Sequence, residues 1–214
     1  MLAERRAFLK GNIDNFPFPT IDDLPETQRE RILNLSHQLE TSPNKPWDEI
    51  NGFIFDLYSL DKYDRQVVKD TLAVAQPFKE SRERANASSN RDERREFYAE
   101  LKRLLTPSFS ITDEIVSVDE VDIITRDISS AWHFFIVSSS SSLSHPIQTP
   151  QKRLISQVAE QADKTGCSRV IVHGDGNLFI GILSQYRYWT LSRARICALD
   201  IQRHHLDSFP IGRI

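Results

Sequence analysis

Apolar residues in the first hundred positions recur at helical spacing. Ile32, Leu35 and Leu39 fall on one face of a helix predicted over residues 25–40, and Pro25 suits its first turn. Ser42-Pro43-Asn44-Lys45-Pro46 interrupts the pattern as a loop. The pattern restarts from Trp47 to Tyr58, with Trp47, Ile50, Ile54, Leu57 and Tyr58 on one stripe. Asp61 is a suitable N-cap for a third helix reaching about Ala75. That helix is expected to bury Val67, Val68, Leu72 and Val74 or Ala75, and Pro77 stops it. Residues 79–95 are polar with mixed charge, and Asn86 to Asn90 reads as an exposed loop. A further helix then carries Phe97, Leu101, Leu104 and Leu105 and is expected to end at Pro107.

The second half changes period. Glu114 to Ile124 and Ala131 to Ser138 are rich in Val, Ile and Phe, as strands are. A serine run, Ser138 to Ser142, opens a loop that lasts through Pro150. Gln151 to Lys164 reads as a helix with Leu154, Ile155, Val158 and Ala159 inward, closed by Gly166 at its C′ position. Arg169 to His173 and Leu178 to Leu183 read as strands joined by a Gly174-Asp175-Gly176-Asn177 hairpin turn. Thr190 caps a last helix that runs to about His205. The order predicts an α+β chain: a helical region over residues 1–107, then a small ββαββα antiparallel-sheet domain over residues 108–214. The expected packing sets two helices on one side of the sheet. No internal repeat accompanies this order.

Composition narrows the function more than the fold. The 214 residues suit one large domain or two small ones, and 39% hydrophobic content is enough for a core. The net charge of −3 provides no overall basic field, so a DNA role needs a local basic patch or a basic partner. Cys167 and Cys197 share no CxxC spacing and lie in apolar segments. They read as two buried thiols of a reducing compartment, with a disulfide as the alternative. No apolar run reaches membrane-span length, and the charged start MLAERRAFLKGN has no h-region, so a cytoplasmic location is expected. Seven glycines argue against Gly-rich phosphate loops, and no cofactor is expected.

Catalytic motifs are sparse. An amino-group DNA methylase needs a Gly-rich cofactor turn and an (N/D)PP(Y/F) tetrapeptide for the flipped base. Neither is present, and the chain has no Pro-Pro pair. Gly174, Gly176 and Gly181 lead into a strand rather than a helix, which fits a hairpin. Glu100-Leu101-Lys102 resembles half of a metal-nuclease motif but falls on a helix, where a solvated face explains it. His204-His205 has no acid or cysteine at ligand spacing, and neighbouring side chains on a helix diverge. His173 and Asp175 at the hairpin tip leave open a stand-alone nuclease-type effector, although turn chemistry accounts for Asp175. The serine run carries no GxSxG elbow.

Two features point to partners. Gln185-Tyr186-Arg187-Tyr188-Trp189-Thr190 leads into Arg193 and Arg195 at a helix start. Arg187, Tyr188, Trp189, Arg193 and Arg195 are candidate nucleic-acid contacts, with phosphates on backbone N–H groups and arginines and bases on the rings. The alternative puts Trp189 and one tyrosine in the core and pairs the arginines with Asp200 or other acids. A second basic cluster, Arg91, Arg94, Arg95, Lys102 and Arg103, is offset by Asp92, Glu93, Glu96 and Glu100 and reads as a salt-bridged helix. Phe16 and Phe18, each beside a proline, either pack on the protein's own body or fill a groove on a partner. A pure protein-interaction module is a further alternative.

Leu2-Ala3-Glu4-Arg5-Arg6-Ala7-Phe8-Leu9 and Asn15-Phe16-Pro17-Phe18-Pro19 resemble the exit from the target-recognition domain of restriction-modification type N6-adenine DNA methyltransferases. Trp47-Asp48-Glu49-Ile50-Asn51 and Phe55-Asp56-Leu57-Tyr58-Ser59-Leu60 resemble their C-terminal helices. The resemblance covers about residues 1–107 and its phrases are structural. The catalytic and cofactor motifs are missing, so no catalytic residue carries over. It implies a split system in which a methyltransferase-like subunit is completed by this chain, in the context of phage defence. Phe16, Phe18, Trp47, Phe55 and Tyr58 would then face the partner, and the α+β region would touch DNA or a further partner.

Overall fold

The computed structural model describes residues 19–42, 44, 46–74, 79–111, 113–121, 131–139, 159, 160, 164, 166–174 and 176–209. The chain divides into two compact units, Met1–Arg65 and Gln66–Ile214. The helix predicted to end at Pro107 therefore belongs with the sheet in the second unit.

In the first unit, a single 3₁₀ turn at Ile21–Asp23 precedes two helices, α1 (Glu26–Thr41) and α2 (Trp47–Leu57). Asp23 closes the turn by accepting from the Thr20 amide at 3.1 Å. Leu24, Leu35 and Phe53 are buried. The α2 stripe is centred on Phe53, three residues on from Ile50, which leaves Trp47 at the helix start 58% exposed. Asp56 ties the unit together, 2.8 Å from the Arg65 guanidinium and 3.8 Å from that of Arg31.

Helix α3 (Lys62–Val74) starts as expected, with Asp61 Oδ1 accepting from the amides of Tyr63 and Asp64 at 2.6 and 2.8 Å. Its buried face differs from expectation. Val67 and Leu72 are exposed, and the buried residue is Asp70.

The second unit continues with α4 (Lys79–Asn86), α5 (Arg91–Ser110), β1 (Val116–Val121), β2 (Trp132–Ser139), β3 (Arg169–Gly174), β4 (Asn177–Leu183) and α6 (Leu191–His204). The strands form one antiparallel sheet in the order β1-β2-β4-β3. The hairpin turn falls where expected: Gly174 pairs with Asn177, and Gly176 has a φ of +75°, a left-handed conformation that glycine supplies without strain. The helical region followed by strands and a closing helix makes the chain α+β.

Strand residues alternate between two cores. Val116, Phe135, Val137, Leu178, Ile180 and Ile182 face one side, where Phe97, Leu101, Leu105 and Phe109 of α5 and Ala194, Ala198 and Ile201 of α6 cover them. Trp132, Phe134 and Phe179 face the other side, where Ala159 packs. The two helices on one face are thus α5 and α6, while Ala159, a residue of the segment predicted helical over 151–164, packs on the opposite face.

Two local readings change. Residues 79–86, where the polar composition predicted no element, form a helix anchored by the buried Ala85. Helix α5 passes through Pro107 to Ser110. Phe109 is buried and packs edge-on against Phe209 at 4.8 Å, and Gln202 of α6 donates to the Leu104 carbonyl and Ser108 hydroxyl at 3.1 and 3.0 Å. These contacts hold the last turn in place although proline removes one ladder bond.

Candidate functional site

The segment after β4 is laced to the chain before α5. The Ser89 amide donates to the Ser184 carbonyl at 2.6 Å, and the Tyr186 amide to the Ala87 carbonyl at 2.8 Å. A 3₁₀ turn, Tyr186–Tyr188, follows and delivers the chain to α6. Trp189 is a core residue, 2% exposed, and its indole donates to the Leu183 carbonyl at 2.8 Å. It offers no face to a base, so that part of the expected nucleic-acid surface is corrected: the large ring is spent on burial, and its one donor is satisfied inside.

The start of α6 is also occupied. Thr190 Oγ1 accepts from the Arg193 amide at 3.4 Å, and Asp70 Oδ2 accepts from the Ser192 amide at 2.8 Å. These acceptors fill the position expected for a phosphate on backbone N–H groups. Any anion must therefore be met by side chains.

The side chains are suitably placed. Both Nε and Nη2 of Arg187 donate to Gln185 Oε1, at 2.9 and 2.7 Å, and its guanidinium lies 5.3 Å from the centre of the Tyr188 ring. The Arg84 guanidinium lies 3.7 Å from the Tyr186 ring centre. Tyr188 and Arg193 then border a cavity of about 500 Å³ with Arg169, Cys167, Cys197 and Ile196. Arg193 is exposed and has no carboxylate partner among the described residues, whereas Arg169 pairs with Asp200. The expected pairing of this segment's arginines with Asp200 is met by Arg169, outside the segment, and this cavity was not legible from local spacing. Arg195 lies half-buried on α6.

Both cysteines line this cavity, but they differ. Cys197 is buried, and burial pushes its thiol up to about 11 against the opposing pull of Arg169. Cys167 is exposed, contrary to the expectation of two buried thiols, because it precedes β3 at the mouth of the cavity.

The first unit carries a separate cleft of about 190 Å³. Ile32, Leu35 and Leu39 of α1 face Ile50, Phe53 and Leu57 of α2 across it, and among the described residues Ser36 is the one polar residue in its lining. Trp47, Leu33 and Ile54 are exposed in the same unit. Phe55 is half-buried with the Arg65 guanidinium 5.6 Å from its ring centre, and Tyr58 is half-buried. Phe16 and Phe18 lie outside the described residues.

The remaining polar clusters join elements. His205 Nδ1 and His173 Nε2 share a hydrogen bond at 3.0 Å between α6's end and β3, while Asp175 lies outside the described residues. Arg94 Nε donates to Glu120 at 2.8 Å, and its Nη1 stands 3.5 Å from His133 Nε2. Burial first, then Arg94, hold the His133 pKa below the usual imidazole value. Glu100 takes both arms of Arg103, at 2.7 and 2.8 Å, so its carboxylate is held in an ion pair within α5. Among the described residues no group of three His, Cys, Asp or Glu side chains is placed to hold a metal ion, and no helix is long and apolar enough to cross a membrane.

No protein-family model matches the chain, and neither does any curated protein or solved structure.

Proposed function

We propose that this chain is a non-catalytic subunit of a DNA-modifying or phage-defence complex. It docks on a DNA adenine methyltransferase-like partner through its first unit and adds DNA contacts through the arginine face beside α6. The partner's identity follows from the sequence resemblance over residues 1–107. The observation that carries the docking half is the apolar cleft between α1 and α2, with Trp47 exposed in the same unit. An indole more than half in water is a favoured anchor for a protein interface.

The DNA half is supported by Arg187 and Arg193, which have no carboxylate partners among the described residues and flank Tyr188. Two or three phosphate contacts give only weak affinity in a chain of net charge −3, so the partner supplies the rest. Co-purification with the methyltransferase-like product of the neighbouring gene tests the docking. The expected result is a stable complex that Trp47→Ala weakens tenfold or more. A chain that elutes alone at every concentration contradicts it.

A further inference from the structure

The cavity beside Tyr188 is chemically mixed in a way that a plain phosphate contact does not require. Ile182 and Ile196 give it apolar walls, Tyr188 gives it an aromatic ring, and Arg193 brings a cation that no carboxylate among the described residues neutralises. Arg169, the second cation in the lining, is already matched by Asp200, so among the described residues the charge left over at the cavity is that of Arg193. Arg187, outside the lining, is held by two hydrogen bonds to Gln185 with its guanidinium 5.3 Å from the Tyr188 ring centre. At about 500 Å³ the cavity lies within the range of roughly 300–1,000 Å³ typical of small-ligand sites and is far roomier than an inorganic anion needs.

We propose that this cavity takes one unpaired nucleoside phosphate, with the base against Tyr188 and the apolar walls and the phosphate on Arg193. A base inside a duplex has both faces stacked and neither to offer the Tyr188 ring, so the ligand is a free mononucleotide or an unpaired nucleotide of a strand. The inference rests on the polyanion half of the proposed function and is independent of the protein partner.

Cys167 at the cavity mouth supplies the readout. The full chain is titrated with dAMP, a short single-stranded oligodeoxyadenylate, the matching duplex and inorganic phosphate. Affinity and the rate of Cys167 alkylation are followed together. The site predicts that dAMP and the single strand bind and slow the alkylation, and that phosphate and duplex, which meet the arginines without entering the cavity, leave its rate unchanged. Arg193→Ala, at an exposed position, weakens dAMP roughly tenfold; Tyr188→Ala does the same while Tyr188→Phe keeps most of the affinity. Tighter binding of dAMP than of the strand assigns a free nucleotide as the source, and the reverse order assigns a strand. Protection by phosphate equal to that by dAMP overturns the proposal, as does wild-type affinity in both Arg193→Ala and Tyr188→Ala. Duplex binding without any dAMP binding also overturns it, yet leaves the DNA contact of the proposed function standing.

Discussion

Asp70 Oδ2 accepts the backbone amide of Ser192 at 2.8 Å, so a carboxylate on α3 closes the N-terminus of α6 from 122 residues away. Its other oxygen accepts from Gln66 Nε2 at 2.8 Å, and the residue is 8% exposed. The negative charge meets the positive end of the helix dipole where little water screens it. Asp70→Ala is expected to cost about 1–3 kcal/mol in urea unfolding, and Asp70→Asn less, because the amide keeps an acceptor and loses the charge. Equal stability of all three proteins would show that the contact contributes nothing.

Gly181 of β4 lies directly opposite Phe134 of β2, and a Cβ placed there would stand 2.7 Å from Phe134 Cε1. The ring covers the glycine and fills the place of its missing side chain. Gly181→Ala is expected to destabilise the fold by about 1–3 kcal/mol through overpacking. Adding Phe134→Leu should recover part of that loss. Additive effects in the double variant would remove the steric explanation.

His133 titrates below its unfolded value of about 6.5, so in acid the unfolded chain binds a proton that the folded chain refuses. The contribution is complete above that value and is lost as pH falls through the folded pKa. His205 is shifted the same way, by burial first and His173 next. Stability measured from pH 7.5 to 5 should therefore fall on acidification, with a shallower slope in His133→Gln. An unchanged slope would place the acid sensitivity elsewhere.

The two thiols should separate in a simple titration. Exposed Cys167 reacts with an alkylating reagent in the native protein, while Cys197, buried and with its thiol raised to about 11, reacts only on unfolding. Mass spectrometry should find one adduct before denaturation and two after. Two native adducts at similar rates would contradict the burial of Cys197.

Periodicity carried the main elements because their apolar stripes are long: Ile32, Leu35 and Leu39 in α1, Phe97, Leu101 and Leu105 in α5, and the alternating strands. The Asp61 and Thr190 caps and the Gly174–Asn177 turn were legible because each acts through its near neighbours. Helix α4 was hidden because Ala85 is the one buried residue among those described in it. The Asn90–Glu93 capping box ahead of α5 was a local signal available in the sequence: Glu93's amide donates to Asn90 Oδ1, and Asn90's amide to Glu93 Oε2, both at 2.9 Å. Asp70 could not be recognised in advance, since its partner is 122 residues away. The cavity was half legible. Tyr188 and Arg193 stood out as a local cluster, but Arg169, Cys167 and Cys197 join them only through the sheet and α6.

The central claim is most directly tested by titrating DNA with this chain, the methyltransferase-like partner and their mixture at two salt concentrations. The account predicts that the mixture binds more tightly than either protein alone and weakens steeply with salt. Arg187→Ala and Arg193→Ala should each lower the salt slope by about one. A mixture that binds no better than the partner alone, with a salt slope unchanged by both substitutions, would contradict it.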